Sequence, residues 1–210
     1  MAVITKNEIL DRIKKGEIGF EPMVDGFQLQ RHAVDLRLGY VFSLPQSWRL
    51  SAKGREALNI DYTRKIDARL FENIELKAGQ YFELLPQEYV LVSVLEKVKL
   101  PADLMAVMYP RSSTNRKGLS VDLTGIIDAG YEGSLTIPIR NNTVSQVIRL
   151  YPGERICQLV FEELCTEVAE GRKSKYHKQK TGIYVPDKEE EIKLVSSGKI
   201  ELLKKRYPIK

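Results

Sequence analysis

From Ala33 onward the chain runs in short alternating segments, such as Val34-Asp35-Leu36-Arg37-Leu38 and Tyr89-Val90-Leu91-Val92-Ser93-Val94. These are cut by Gly39, Gly79, Pro86, Pro101, Pro110 and Gly118. Side chains of a strand alternate between its two faces, and Gly and Pro end the run by bending the backbone or removing a ladder donor. Many short strands with turn signals between them predict a mainly β chain, a β-sandwich or a barrel-like jelly roll. Only the start departs from this texture. Thr5 followed by Glu8 forms a capping-box pattern, and Ile9, Leu10 and Ile13 share one helical face until Lys14-Lys15-Gly16. That pattern predicts one short N-terminal helix.

With 210 residues the chain can bury one sizeable core, and its hydrophobic fraction of 43% fits an ordinary soluble domain. The Lys and Glu content beyond Gly182, as in Asp187–Glu191 and Lys204-Lys205-Arg206, marks a solvated appendage, so the expected division is a domain over 1–182 and an extension over 183–210. Residues 47–73 are polar and basic without a clear period, an inserted arm or a subunit contact. Trp48 and Tyr109 are expected to serve as packing residues.

A net charge of +5 suits a small anionic ligand as well as nucleic acid. No aromatic-rich RNA-binding signature, zinc-finger spacing or long basic run accompanies it, so nucleic acid is not expected as a partner. Cys157 and Cys165 match no zinc motif, and His32 and His177 lie too far apart in sequence to suggest a metal pair. The first residues lack the apolar stretch of a signal peptide and no run has the length of a membrane span, which predicts a soluble, cytoplasmic protein.

The chemistry concentrates between Tyr109 and Asn141. Arg111, Ser112, Ser113 and Arg116 bring cations, hydroxyls and backbone N–H groups together, a set that suits phosphate. Gly125 to Gly133 reads as a strand, a tight turn and a second strand, a hairpin with Asp128 and Tyr131 near its bend. Taken singly, Arg-Ser-Ser is a common turn and an Asp before such a bend is usually turn chemistry. Their order along the chain, with further segments, is what gives them weight.

Read together, His32–Gly39, Tyr109–Leu119, Gly125–Gly133 and Tyr151–Leu159 resemble, in order, four motifs of the superfamily that joins dCTP deaminases to trimeric dUTP diphosphatases. Lys175-Tyr176-His177-Lys178-Gln179 resembles the phosphate-closing segment of the deaminase branch. The resemblance covers roughly residues 4–182. It implies a distorted jelly-roll subunit of the dUTPase-like β-clip kind, a homotrimer with sites between subunits, and Mg²⁺ delivered with a deoxynucleoside triphosphate. It also implies roles for single residues. Arg111, Ser112, Ser113, Arg116 and Gln158 would bind the nucleotide, with Lys175 and Gln179 closing over the phosphates. Tyr131 would stack on the deoxyribose, Asp35 would orient a water of the Mg²⁺ shell, and Asp128 would activate the attacking water.

One position separates the two branches. Deaminases of this kind place a proton-shuttling glutamate five residues after the Gly that closes the third motif, and here Pro138 stands there. Proline can neither accept nor donate a proton. The expected activity is therefore hydrolysis of dUTP to dUMP and pyrophosphate. The alternatives are dCTP deamination, dUMP-forming or not, with Asp122 or Glu132 taking the missing role, and a non-catalytic deoxynucleotide-binding relative.

Overall fold

The computed structural model describes residues 2–60, 70–121, 125–168 and 189–208. It opens with helix α1 (Lys6–Lys14), then strands β1 (Gly19–Glu21), β2 (Val34–Pro45), β3 (Trp48–Ser51) and β4 (Gly54–Ala57). Strands β5 (Phe71–Glu75), β6 (Phe82–Leu84), β7 (Tyr89–Lys99) and β8 (Leu104–Pro110) follow, then the short helix α2 (Ser112–Arg116). Strands β9 (Leu119–Val121), β10 (Ile126–Ile127), β11 (Glu132–Asn141), β12 (Ile148–Leu150) and β13 (Arg155–Glu163) precede helices α3 (Glu189–Ser196) and α4 (Ile200–Arg206). The chain is mainly β, as its alternation predicts.

Two compact units result, one of Met1–Leu44 with Asn73–Ile183 and the other of Pro45–Glu72 with Tyr184–Lys210. In the first unit β2 serves two layers. Its start pairs with β13 through Val34 to Arg37, and its later part pairs with β7 through Leu38, Phe42 and Ser43. The resulting order is β10-β8-β13-β2-β7-β11-β9, an antiparallel sheet that curls around one core. Gly39 marks the change of partner: a Cβ there would lie 2.5 Å from the Ser93 carbonyl oxygen, so only glycine lets β2 approach β7 this closely. The core is built of fully buried side chains from both layers, among them Leu36, Leu38, Phe42, Ile137, Ile139, Leu159 and Phe161.

The segment from Gly125 to Gly133 does not form the hairpin its sequence predicts. Its turn is there, with Tyr131 N–H donating to the Asp128 carbonyl at 3.1 Å and Gly130 at a φ of 74°. The flanking strands diverge, however. β10 pairs with β8, whereas β11 pairs with β7 and β9. The turn instead docks on the β7–β8 connection, where Leu100 N–H donates to Tyr131 O at 2.8 Å and Gly130 N–H to Pro101 O at 2.9 Å. Two corners thus cross between layers side by side, which local turn chemistry cannot announce.

Helix α1 forms where expected, but its cap differs. Thr5 is the N-cap residue without a side-chain cap bond, and Glu8 instead accepts from Arg12 Nε at 3.1 Å. The buried Arg12 guanidinium also donates to Asp103 at 2.7 Å and to Glu163 at 2.9 Å, tying α1 to the β7–β8 connection and to the end of β13. The carboxylate partners are a third or more exposed, so water screens part of what the arginine supplies. Arg12→Met should therefore lower unfolding stability by about 1–2 kcal/mol in urea titrations, while an exposed change such as Lys14→Met should be near neutral.

In the second unit β3 and β4 form a hairpin, with Trp48 opposite Ala57 and Ser51 opposite Gly54. Arg55 sits over the Trp48 ring at 4.9 Å, and Trp48 remains 44% exposed, so it is not the packing residue expected. Tyr109, 39% exposed on β8, departs from the same expectation. Both carry a polar edge that stays near water, which amphipathic rings tolerate. Helices α3 and α4 are joined by Tyr207 Oη donating to Glu190 at 2.7 Å and by an Arg206–Glu190 ion pair.

Candidate nucleotide site

Three neighbouring strands set one row of side chains. In β8, β13 and β2 the residues Tyr109, Gln158 and Asp35 stand opposite one another. Just past the end of β8, Arg111 begins α2, and the helix is stapled to β13 by Thr114 Oγ1 donating to Ile156 O at 3.0 Å. The first-turn amides of α2, on Ser112 and Ser113, have no helical carbonyl within reach and remain available as donors. Arg111, Ser112, Ser113, Gln158, Asp35 and Gln30 together line a cavity of about 260 Å³. On the far side of Arg111 lies a larger one of about 450 Å³, with Arg37, Lys117, Arg149 and Arg155 among its walls.

Asp35 is 1% exposed, and its Oδ2 takes Arg111 Nε at 3.1 Å, Arg155 Nη1 at 3.2 Å and Gln30 Nε2 at 3.2 Å. Burial pushes its carboxyl above the ordinary value, and the two arginines pull it part of the way back. Its other oxygen, Oδ1, is buried with no hydrogen-bond partner among the described residues. A hard oxygen acceptor of this kind fits one water of a hydrated cation. Among the described residues no group of three or more His, Cys, Asp or Glu could cage a metal, so Mg²⁺ would depend on substrate phosphates for its other ligands.

The remaining candidates are dispersed. Arg116 is exposed on α2 and lines neither of these cavities. Asp128 is exposed at the β10–β11 turn. It follows β10, which stands three strands from β2 in the sheet order, so Asp128 and Asp35 lie on separate elements. Lys175, Gln179 and Asp122 lie outside the described residues. Pro138 is buried in β11 opposite Leu91, and Glu132 stands exposed at that strand's start opposite Lys99.

Tyr131 is 5% exposed, its ring packed in the core and its hydroxyl donating to Ser134 O at 2.8 Å. Burial raises its hydroxyl from 10.0 to about 12. The folded state therefore keeps this proton to higher pH than the unfolded chain, so the stability it lends is intact below pH 10 and lost as pH rises toward 12. In urea titrations at pH 9 and pH 11, Tyr131→Phe should show a shallower loss than the parent, by about 1 kcal/mol.

The sequence reading missed Gln30 and Arg155 as partners of Asp35. Arg155 lies inside the quoted Tyr151–Leu159 motif, and its place opposite Arg37 beside β2 is a register fact. Gln30 sits in a loop and has no signal in the sequence. The reading also missed Glu96, 1% exposed on β7, whose carboxyl burial pushes up while hydrogen bonds from the Arg37 N–H and Gln28 pull it back.

A curled β fold thus carries a basic, carboxylate-anchored cavity at the end of β8. Residues 3–164 match the dCTP deaminase-like family, and the chain belongs to it. It is 35% identical over 188 residues to the dCTP deaminase, dUMP-forming, of Methanobrevibacter smithii, covering 85% of this chain and 92% of that one. Identity is 33% over 209 residues to the protein of the same name from Methanosphaera stadtmanae, covering 95% and 100%. The solved 2'-deoxycytidine 5'-triphosphate deaminase of Agrobacterium tumefaciens superposes with a TM-score of 0.57 at 25% identity, covering 76% of this chain and 48% of that chain. The present chain thus spans about half the length of that solved structure. Among the described residues, no helix is long and apolar enough to cross a membrane.

Proposed function

We propose that this protein hydrolyses dUTP to dUMP and pyrophosphate. The observation that carries the reading is Pro138, buried in β11 at the place where deaminases of this family keep their proton-shuttling glutamate. Attack of water on the cytosine ring needs a group that takes a proton and returns it to departing ammonia, and proline has none. Attack on the α-phosphorus needs only a base for water and cations for the phosphates. Asp128 is the base in this reading, and Arg111, Ser112, Ser113 and Gln158 hold the phosphates, with Arg116, Lys175 and Gln179 completing the grip.

Asp128 and Asp35 stand on elements three strands apart in the sheet order, an arrangement that suits a homotrimer in which neighbouring copies complete one site. Mg²⁺, when bound with the triphosphate, would neutralise charge on the phosphates, and Asp35 Oδ1 would hold one of its waters. Purified protein given dUTP and Mg²⁺ should release pyrophosphate; release no greater than that of an Asp128→Ala control overturns the reading.

A second reading is favoured by the relatives, which carry the name dCTP deaminase, dUMP-forming. In it water adds to the base, ammonia leaves, and the phosphates are then cleaved at the same site. Asp122 or Glu132 would have to stand in for the missing glutamate. Loss of the cytosine absorbance from dCTP, abolished by Glu132→Gln or Asp122→Asn, would establish it.

A further inference from the structure

The buried Glu96 has no part in the proposed chemistry, yet it is placed beneath it. Its neighbours along β7, Val92, Val94 and Val98, are apolar core residues. Among the described residues no Lys or Arg side chain forms an ion pair with it. A carboxylate buried without a cation is costly unless its oxygens are fully used. Here each oxygen takes one donor: Oε1 accepts from Gln28 Nε2 at 2.7 Å, and Oε2 accepts from the Arg37 backbone N–H at 3.0 Å.

Gln28 is the link to the site. It is 2% exposed, and its second amide hydrogen goes to the Asp35 carbonyl at 2.9 Å, while its Oε1 accepts from Asp25 N–H at 3.0 Å. Its own carbonyl accepts from Asp35 N–H at 2.8 Å, so Asp35 is held at both backbone groups. An amide side chain can flip, exchanging donor and acceptor ends. A carboxylate offers only acceptors, so Glu96 requires an N–H from Gln28, the same orientation that the Asp35 carbonyl and the Asp25 N–H require. Glu96 thus takes the other amide hydrogen of Gln28 and, with its other oxygen, the Arg37 N–H, joining the loop to β2. The loop so fixed delivers Gln30 Nε2 to Asp35 Oδ2 and the Phe27 carbonyl to Arg155 Nη1 at 2.5 Å.

We infer that Glu96 is a positioning residue for the triphosphate cavity: by accepting from both Gln28 and the Arg37 N–H it sets the place of Asp35 and of the loop that carries Gln30. The inference rests on the reading of this cavity as the phosphate site. Glu96→Gln preserves volume but has one acceptor oxygen for two donors, so either Gln28 or the Arg37 N–H faces an N–H and the loop shifts from β2.

The test measures calorimetric binding of inorganic tripolyphosphate with Mg²⁺ to the full chain, beside thermal unfolding. Glu96→Gln should weaken binding by roughly ten- to a hundredfold, as loss of an outer partner of a metal-linked carboxylate does. A second variant, Gln28→Glu with Glu96→Gln, restores one amide–carboxylate pair of the same size but sets a carboxylate oxygen against the Asp35 carbonyl. It should melt below the parent and also bind weakly, with binding compared at a temperature below the unfolding transition of every protein. Parental binding in both variants, whatever their melting temperatures, overturns the role of Glu96 alone. Absence of binding by the parent chain removes the phosphate reading of the cavity and this inference with it.

Discussion

Asp128→Asn is expected to slow pyrophosphate release from dUTP by about a thousandfold, the range over which a positioned general base contributes. The side chains are nearly isosteric, so the turn should persist: its bond runs from Tyr131 N–H to the Asp128 backbone carbonyl, which the change leaves in place. The exposed carboxylate follows β10, three strands from the β2 that carries Asp35, and makes none of the contacts that hold Asp35 or Arg111. The effect should therefore fall on kcat, with KM for dUTP within a few-fold of the parent, as steady-state kinetics would show. An equal loss in KM would mean that Asp128 binds rather than activates. Mixing Asp128→Asn protein with an Arg111→Ala partner offers a sharper check. If sites lie between copies, mixed oligomers recover activity that neither parent shows.

Arg111→Ala should cut kcat/KM for dUTP by roughly a hundred- to a thousandfold, the loss that follows removal of a preorganised charge-stabilising donor. Two consequences combine. The cavity loses the cation that separates its two chambers, and the buried Asp35 loses the Nε contact at 3.1 Å, keeping only Arg155 and Gln30 on Oδ2. Arg111 Nη1 also donates to the Arg155 carbonyl at 3.1 Å, so the start of β13 loses a fixed point. Arg111→Lys should recover little of this, because an ammonium cannot span Asp35 and the Arg155 carbonyl at once. Measuring kcat/KM for the three proteins at constant Mg²⁺ decides the matter.

Much of this architecture could be read from alternation and punctuation. The strands around Val34–Leu38 and Tyr89–Val94 follow from period-two patterning, and α1 follows from the spacing of Ile9 and Ile13. The Arg111-Ser112-Ser113 segment suits an anion by its residue types and by its order among the other motifs, and the structure sets it at the start of α2 beside Asp35. Partner choice was not legible. That β10 and β11 part company at Gly130 depends on the Pro101 connection docking there, a contact distant in sequence. The β3–β4 hairpin hides in a segment whose polar composition masks alternation, since neither face is buried in a core. Glu96 and Gln28 escaped notice for a related reason: a single carboxylate in an apolar strand and a glutamine in a loop acquire meaning only when β7 brings them together.

In the proposed reaction the chemistry occurs at phosphorus and not at the base. The direct measurement offers the full-length protein dUTP and dCTP separately with Mg²⁺ and follows pyrophosphate and ammonia in each. Pro138 predicts pyrophosphate from dUTP and no ammonia from dCTP. Ammonia released from dCTP in step with dUMP would contradict the account.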